Sequence, residues 1–289
     1  MTVPSSALSS PPPEIRRHRV AIDGGRALNV RERSGDDRAF LLVHGLASNA
    51  RLWDGVSAEL AGRGHRVVAV DQRGHGLSDR ARTGYRYPEV VGDLVALAEV
   101  LGLHRPVLVG QSWGGNVVIH AGAQAGSRWH AIGAVDGGTI NLGDTFDDAQ
   151  AAWEALRPPP LAGRPASEVR DMIAGSVQGW PAGALEAQMG NFEIFEDGTL
   201  APHLALGDHR QIVEAMLTSD PRDVYDQVDL PVLLMPVRGG TGEWAERKAA
   251  AVEEAIELLP DGRVQWFDGA HDVHLQKPAE VAEALLTLL

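Results

Sequence analysis

Ser112 lies within Gly110-Gln111-Ser112-Trp113-Gly114, a Gly-x-Ser-x-Gly run of the kind that presents a nucleophilic hydroxyl on a sharp turn. The apolar run Pro106-Val107-Leu108-Val109 leads into it, and a small-residue, apolar stretch from Asn116 to Gln124 follows. Ser112 is therefore expected at the tip of a strand–turn–helix. So tight a turn leaves no room for a side chain just before or just after it, and Gly110 and Gly114 supply that absence. By the geometry of the turn, the backbone N–H of Trp113 faces any oxyanion formed at Ser112. A serine hydroxyl is a weak nucleophile at neutral pH. It needs a base within hydrogen-bond reach, and the base needs a carboxylate to orient it. His271 and His274 near the C-terminus are the candidate bases. The competing account is a Gly-rich turn without chemistry, so the surrounding elements have to decide.

Those elements read as alternating strands and helices. Ile15–Asp23 and Leu28–Arg33 form a hairpin across Gly24-Gly25. Ala39–Val43, His65–Val70, Val107–Val109 and Ala131–Val135 are short continuous apolar runs, the signature of strands buried on both faces. Helical spacing of Val91, Leu94, Val95 and Ala98 predicts a helix over residues 88–101. Residues 137–228 break the alternation, with helical faces at Val169, Met172, Ile173 and Val177 and again at Ile212, Val213, Met216 and Leu217. A small hairpin is expected over residues 192–200. The alternation resumes at Pro231–Val237, continues through a helix ending near Leu258 and a last strand Val264–Phe267, and closes with a helix over residues 279–289. Alternation of this kind argues for a mostly parallel sheet covered by helices on both faces. Ligands in such sheets bind beyond the carboxyl ends of the strands, where Ser112, Asp136 and His271 all fall.

Composition removes several classes. The 289 residues carry a formal net charge of −13, which disfavours nucleic acid and anionic membrane surfaces as partners. There is no cysteine, so no disulfide, thiolate nucleophile or Cys-bound metal can form. Eleven histidines invite a metal, but no His-Glu-x-x-His run occurs. Neither a phosphate loop nor a dinucleotide fingerprint is present. No cofactor is expected. Residues 1–14, rich in Ser and Pro, read as a disordered tail and not as a secretory signal, and the expected compartment is the cytoplasm. A homodimer is neither required nor excluded by the sequence.

Four motifs in order carry a resemblance over nearly the whole chain: His44-Gly45; Asp71-x-Arg73-Gly74-His75-Gly76-x-Ser78; Gly110-x-Ser112-x-Gly114; and Gly269-Ala270-His271-x-x-His274-Leu275-x-x-Pro278. As a set they resemble the α/β-hydrolase family. The resemblance implies an α/β fold with an eight-stranded, mostly parallel sheet, helices on both faces and a mainly helical cap inserted between strands 6 and 7. The core is then residues 15–136 and 229–289, and the cap residues 137–228. It also implies a nucleophile–acid–histidine triad. Family spacing selects His271 as the base, leaving His274 as a packing or pocket residue, and supplies the backbone of Leu46 as the second oxyanion donor. The family most often carries its acid after the seventh strand, where this chain reads Arg238-Gly239-Gly240-Thr241-Gly242 with no carboxylate before Glu243. Some branches place the acid after the sixth strand, where Asp136 stands. Asp136 is therefore the favoured acid and Glu243 the alternative. Asp71, Arg73, His75 and His44 are expected to brace loops.

Trp113, Trp153, Trp180, Phe192, Phe195, Met172 and Met189 are candidates for an apolar pocket between cap and core, against the plainer alternative that most form the cap's own core. The expected activity is a serine hydrolase that cleaves a carboxylic ester or lactone of a small-to-medium, largely apolar substrate. A carbon–carbon bond hydrolase, an amidase or an aminopeptidase uses the same triad, and a non-catalytic receptor on the same fold is the alternative of another class. Epoxide hydrolases and haloalkane dehalogenases use an Asp nucleophile, and position 112 is Ser.

Overall fold

The computed structural model describes residues 11–22, 24–239 and 241–289. Residues 1–10 of the expected tail and Asp23 of the first expected strand lie outside them. Pro13, also within the expected tail, is tied down, because its carbonyl accepts a hydrogen bond from Arg33 Nη1.

An antiparallel hairpin, β1 (Arg16–Ala21) and β2 (Ala27–Arg33), enters the sheet. Then follow β3 (Asp37–Val43), helix α1 (Asp54–Ala61), β4 (His65–Val70), α2 (Tyr87–Val100), β5 (Val107–Gln111), α3 (Trp113–Ala125) and β6 (Ala131–Val135). The segment after β6 holds α4 (Ala149–Leu156), α5 (Ala166–Ser176), α6 (Ala184–Met189), a hairpin of β7 (Phe192–Ile194) and β8 (Leu200–Pro202), and α7 (Leu206–Leu217). The chain returns through β9 (Val232–Met235), β10 (Val237–Arg238), α8 (Glu243–Leu258), β11 (Gly262–Val264), β12 (Phe267–Asp268), α9 (Val273–Gln276) and α10 (Pro278–Leu286). Among the described residues, no helix is long and apolar enough to cross a membrane.

The main sheet has eight strands in the order β1-β2-β4-β3-β5-β6-β9-β11. β2 meets β1 and β4 antiparallel; every pairing from β4 onward is parallel. Alternate residues of β3 point to opposite faces, as a strand's two-residue period demands. Leu41 and Val43 enter one core with residues of α2, α3 and α8, such as Leu94, Val117 and Val252. Phe40 and Leu42 enter the other with residues of α1 and α10, such as Leu60 and Leu285. All four are fully buried, and each contributes about 2 kcal/mol of apolar burial. Continuous apolar runs are thus what a sheet covered on both faces requires.

The last part of the chain differs from expectation in one respect. Pro231–Val237 was expected as one strand and Val264–Phe267 as another; each is divided. β9 and β11 pair in the main sheet, whereas β10 and β12 pair only with each other, in parallel. Pro236 separates β9 from β10, and its missing N–H cannot continue a ladder. The offset displaces Val237, with consequences for the site.

Candidate active site

β5 is buried along its whole length and ends at Gln111; α3 begins at Trp113. Between them Ser112 adopts φ +54° and ψ −123°, a conformation that costs a non-glycine residue about 1–3 kcal/mol. The surrounding backbone enforces it. A Cβ at Gly110 would stand 2.0 Å from the carbonyl oxygen of Gly114, and one at Gly114 would stand 2.4 Å from that of His44. Space is therefore the reason for these glycines, as the Gly-x-Ser-x-Gly spacing requires. Ser112 N–H donates to the carbonyl of Val135 at 3.0 Å, anchoring the turn to the end of β6.

Directly after β6 comes Asp136, held at φ +40°. Its carboxylate is 4% exposed and fully occupied. Oδ2 lies 2.6 Å from Nδ1 of His271. Oδ1 accepts from Val237 N–H at 2.9 Å and pairs with Lys248 Nζ at 2.5 Å. Burial works against the charged form of Asp136, but the bonds to His271, Lys248 and Val237 outweigh it and hold the carboxyl below its usual range. His271 sits in the turn after β12 with its side chain 55% exposed. Desolvation depresses its imidazole, yet the hydrogen bond and charge of Asp136, aided by Asp272, raise it above the ordinary value. Gln111, next to the serine, donates its side-chain amide to the His271 carbonyl at 3.3 Å.

The loop after β3 supplies the second wall. His44 donates from Nδ1 to Gly45 O at 2.7 Å, and its Nε2 accepts Gln72 N–H at 3.0 Å. His75 donates from Nδ1 to Arg73 O at 3.0 Å, and its Nε2 accepts Ala47 N–H at 3.2 Å. Each ring needs one protonated and one bare nitrogen for these bonds, so both are neutral braces. Burial lowers them accordingly, His44 to about 4 and His75 to about 3. Asp71 accepts from Ala50 N–H, Leu77 N–H and the Asn29 amide, and Arg73 is sealed against Asp93 at 2.6 Å. With Ala47 N–H taken by His75, the N–H groups of Leu46 and Trp113 are left without an acceptor among the described residues.

The other candidates are dispersed. Glu243 opens α8, is 78% exposed and pairs with Arg247; it does not reach His271, which Asp136 occupies instead. His274 is fully buried against Trp53, 4.3 Å between ring centres, and burial lowers it to about 4, so it packs as a neutral ring. Trp113 stacks on His75 at 5.7 Å beside the serine. Trp153 is buried against His209. The remaining pocket candidates are spread over different surroundings. Met172 and Phe195 are 51% and 42% exposed, because α5 turns only Val169 fully inward and Phe195 sits in the turn after β7. Phe192 packs with Met189 around Leu161, Val169 and Leu200, the inserted segment's own cluster. Trp180 joins Leu52, Ala184, Ala187 and Leu275, where that segment meets the body.

Two residues were missed from the sequence. Asn116, fully buried in α3, accepts from Gly138 N–H and donates to Ile140 O, pinning the chain just after Asp136. A polar residue in the apolar first turns of the helix was the available signal. Lys248 pairs with Asp136 from a helix whose charge pattern gave no signal. Among the described residues, no cluster of three or more His, Cys, Asp or Glu side chains is arranged to hold a metal ion.

A family model described as the alpha/beta hydrolase fold matches residues 38–278. The chain is 31% identical over 274 residues to 2-(acetamidomethylene)succinate hydrolase of Mesorhizobium japonicum, covering 93% of this chain and 94% of that protein. It is 28% identical over 247 residues to a non-heme chloroperoxidase of Streptomyces lividans, covering 81% and 84%. A crystal structure of E-2-(acetamidomethylene)succinate hydrolase superposes with a TM-score of 0.79 at 28% identity, over 95% of this chain and 99% of that one.

Proposed function

The chain belongs to the alpha/beta hydrolase fold family, and from that premise we propose that it is a serine hydrolase cleaving a carboxylic ester or lactone of a small-to-medium, largely apolar substrate. Ser112 Oγ attacks the acyl carbon while His271 takes its proton, and Asp136 stabilises the imidazolium that forms. The N–H groups of Leu46 and Trp113 receive the oxyanion; losing one such donor typically costs about 3 kcal/mol of transition-state stabilisation. His271 returns the proton to the leaving alkoxide, then deprotonates a water that releases the acid from Ser112. The observation that carries this reading is the 2.6 Å contact between His271 Nδ1 and Asp136 Oδ2, beyond the carboxyl ends of the central strands β5 and β6, where Ser112 also stands.

One alternative has an observation in its favour. The relative from Mesorhizobium japonicum bears the name of an acetamido compound, which supports amide cleavage by the same residues. Incubation with a fluorophosphonate probe, followed by an activity panel of esters, lactones and anilides, tests both. Labelling of Ser112 at neutral pH, lost in Ser112→Ala, and turnover of esters or lactones is the expected result. Turnover confined to anilides selects the amidase. A folded wild-type protein whose Ser112 stays unlabelled is a receptor on a hydrolase fold, and the proposal fails.

A further inference from the structure

Asp136 answers to two cations, and the proposed hydrolase chemistry uses only one of them. Its Oδ2 faces His271, the group that becomes cationic when it takes the serine proton. Its Oδ1 is engaged from behind. Lys248, in the second turn of α8, reaches across with Nζ 2.5 Å from Oδ1 and donates to the carbonyl of Val237 at 2.9 Å. Val237 in turn gives its own N–H to Oδ1 at 2.9 Å. The three groups close a ring. It consumes the acceptor capacity of Oδ1 and leaves Oδ2 with one partner. The displacement of β10 beyond Pro236 is what brings both polar groups of Val237 to this spot. Lys248 is 21% exposed and the Asp136 side chain 4%, so solvent screens the pair little.

We propose that Lys248 is a positioning residue of the site: it locks the Asp136 carboxylate in the orientation that faces His271, and its positive charge opposes protonation of that imidazole. The inference rests on the roles given above to Ser112, His271 and Asp136. A carboxylate shared with a permanent ammonium gives less of its charge to the ring than one held by neutral donors alone. The charged groups around His271 are Asp136 from the end of β6, Asp272 beside it, and Lys248 from α8; the two carboxylates raise the imidazole and the ammonium lowers it. Gln188 of α6 caps Asp272 with a neutral amide at 2.9 Å, and His274 is neutral. Lys248 is thus the cation that offsets two acids. The offset matters because only the bare imidazole accepts the serine proton.

The test compares wild type, Lys248→Met and Lys248→Arg by two readouts. The first is an NMR titration of the His271 ring, identified by its loss in His271→Gln. The second is the pH dependence of Ser112 labelling by a fluorophosphonate. In Lys248→Met the ring is expected to titrate at higher pH, the acid limb of labelling is expected to move up with it, and the rate is expected to fall at every pH. Lys248→Arg is expected to return the midpoint toward the wild-type position. A slower Lys248→Met enzyme with an unmoved midpoint marks a merely structural lysine and overturns the proposal. A moved midpoint in a protein whose Ser112 never labels supports the pairing and instead removes the hydrolase reading.

Discussion

Replacing Asp136 by Asn probes the site at its centre, because the structure dictates how the amide must sit. Asp136 offers one oxygen to two donors, Val237 N–H and Lys248, and the other to His271. Asn has a single oxygen. If that oxygen faces Val237 and Lys248, the NH2 faces His271. If it faces His271, the NH2 meets two donors, and each unmade buried bond costs about 1–3 kcal/mol. The first orientation wins. Its NH2 then donates to Nδ1 and forces the ring proton onto Nε2, the nitrogen otherwise left to accept from the serine. The fold survives while the base is in the wrong tautomer. Removing an orienting carboxylate in this way lowers turnover about 10,000-fold, a barrier increase of about 5 kcal/mol. The assay is the second-order rate of Ser112 labelling by a fluorophosphonate, with circular dichroism to verify folding. Glu243→Gln, which removes only an exposed partner of Arg247, is the control and is expected to label at the wild-type rate. An Asp136→Asn protein labelled within tenfold of wild type would refute the assignment, and a large loss in Glu243→Gln would transfer the role.

Two further outcomes follow from packing and burial. Gly110→Ala places a methyl 2.0 Å from the Gly114 carbonyl oxygen, where only backbone can move, so a stability loss of about 3 kcal/mol or more and loss of labelling are expected in denaturant titrations and probe assays; wild-type values for both would remove the steric account of the turn. Burial penalises the charged forms of His44, His274 and His75 and pushes them down, the first two to about 4 and His75 to about 3. The unfolded chain binds protons to all three near pH 6.5, so their contribution is intact above that pH and is lost as pH falls toward 4. By pH 5 each costs about 2 kcal/mol, and the denaturant midpoint should drop between pH 7.5 and pH 5. An unchanged midpoint would mean that these rings are not held neutral by burial.

The apolar runs of β3, β4, β5 and β6 were legible because a strand buried on both faces must be continuously apolar. The turn at Ser112 was legible because a steric requirement leaves a local trace, two glycines at fixed offsets. The surroundings of the aromatic candidates were not, since an aromatic side chain looks the same in sequence whether it stacks in the main core, as Trp113 does on His75, or packs a separate cluster, as Phe192 does. Met172 illustrates the same limit: helical periodicity gives a face, and only the neighbouring elements determine how wide that face is.

By itself, the sequence determined the order of strands and helices, the elbow at Ser112 and the placing of Asp136 and His271 at strand ends, all of which depend on residues close together in the chain. The tertiary structure alone decided that Asp136 and not Glu243 meets His271, and that Lys248 meets Asp136 from behind. These contacts join residues more than a hundred positions apart. Hydrogen bonds of 2.5 to 2.9 Å depend on sheet register and on where the strand beyond Pro236 is placed, and no local pattern encodes which distant residues then meet.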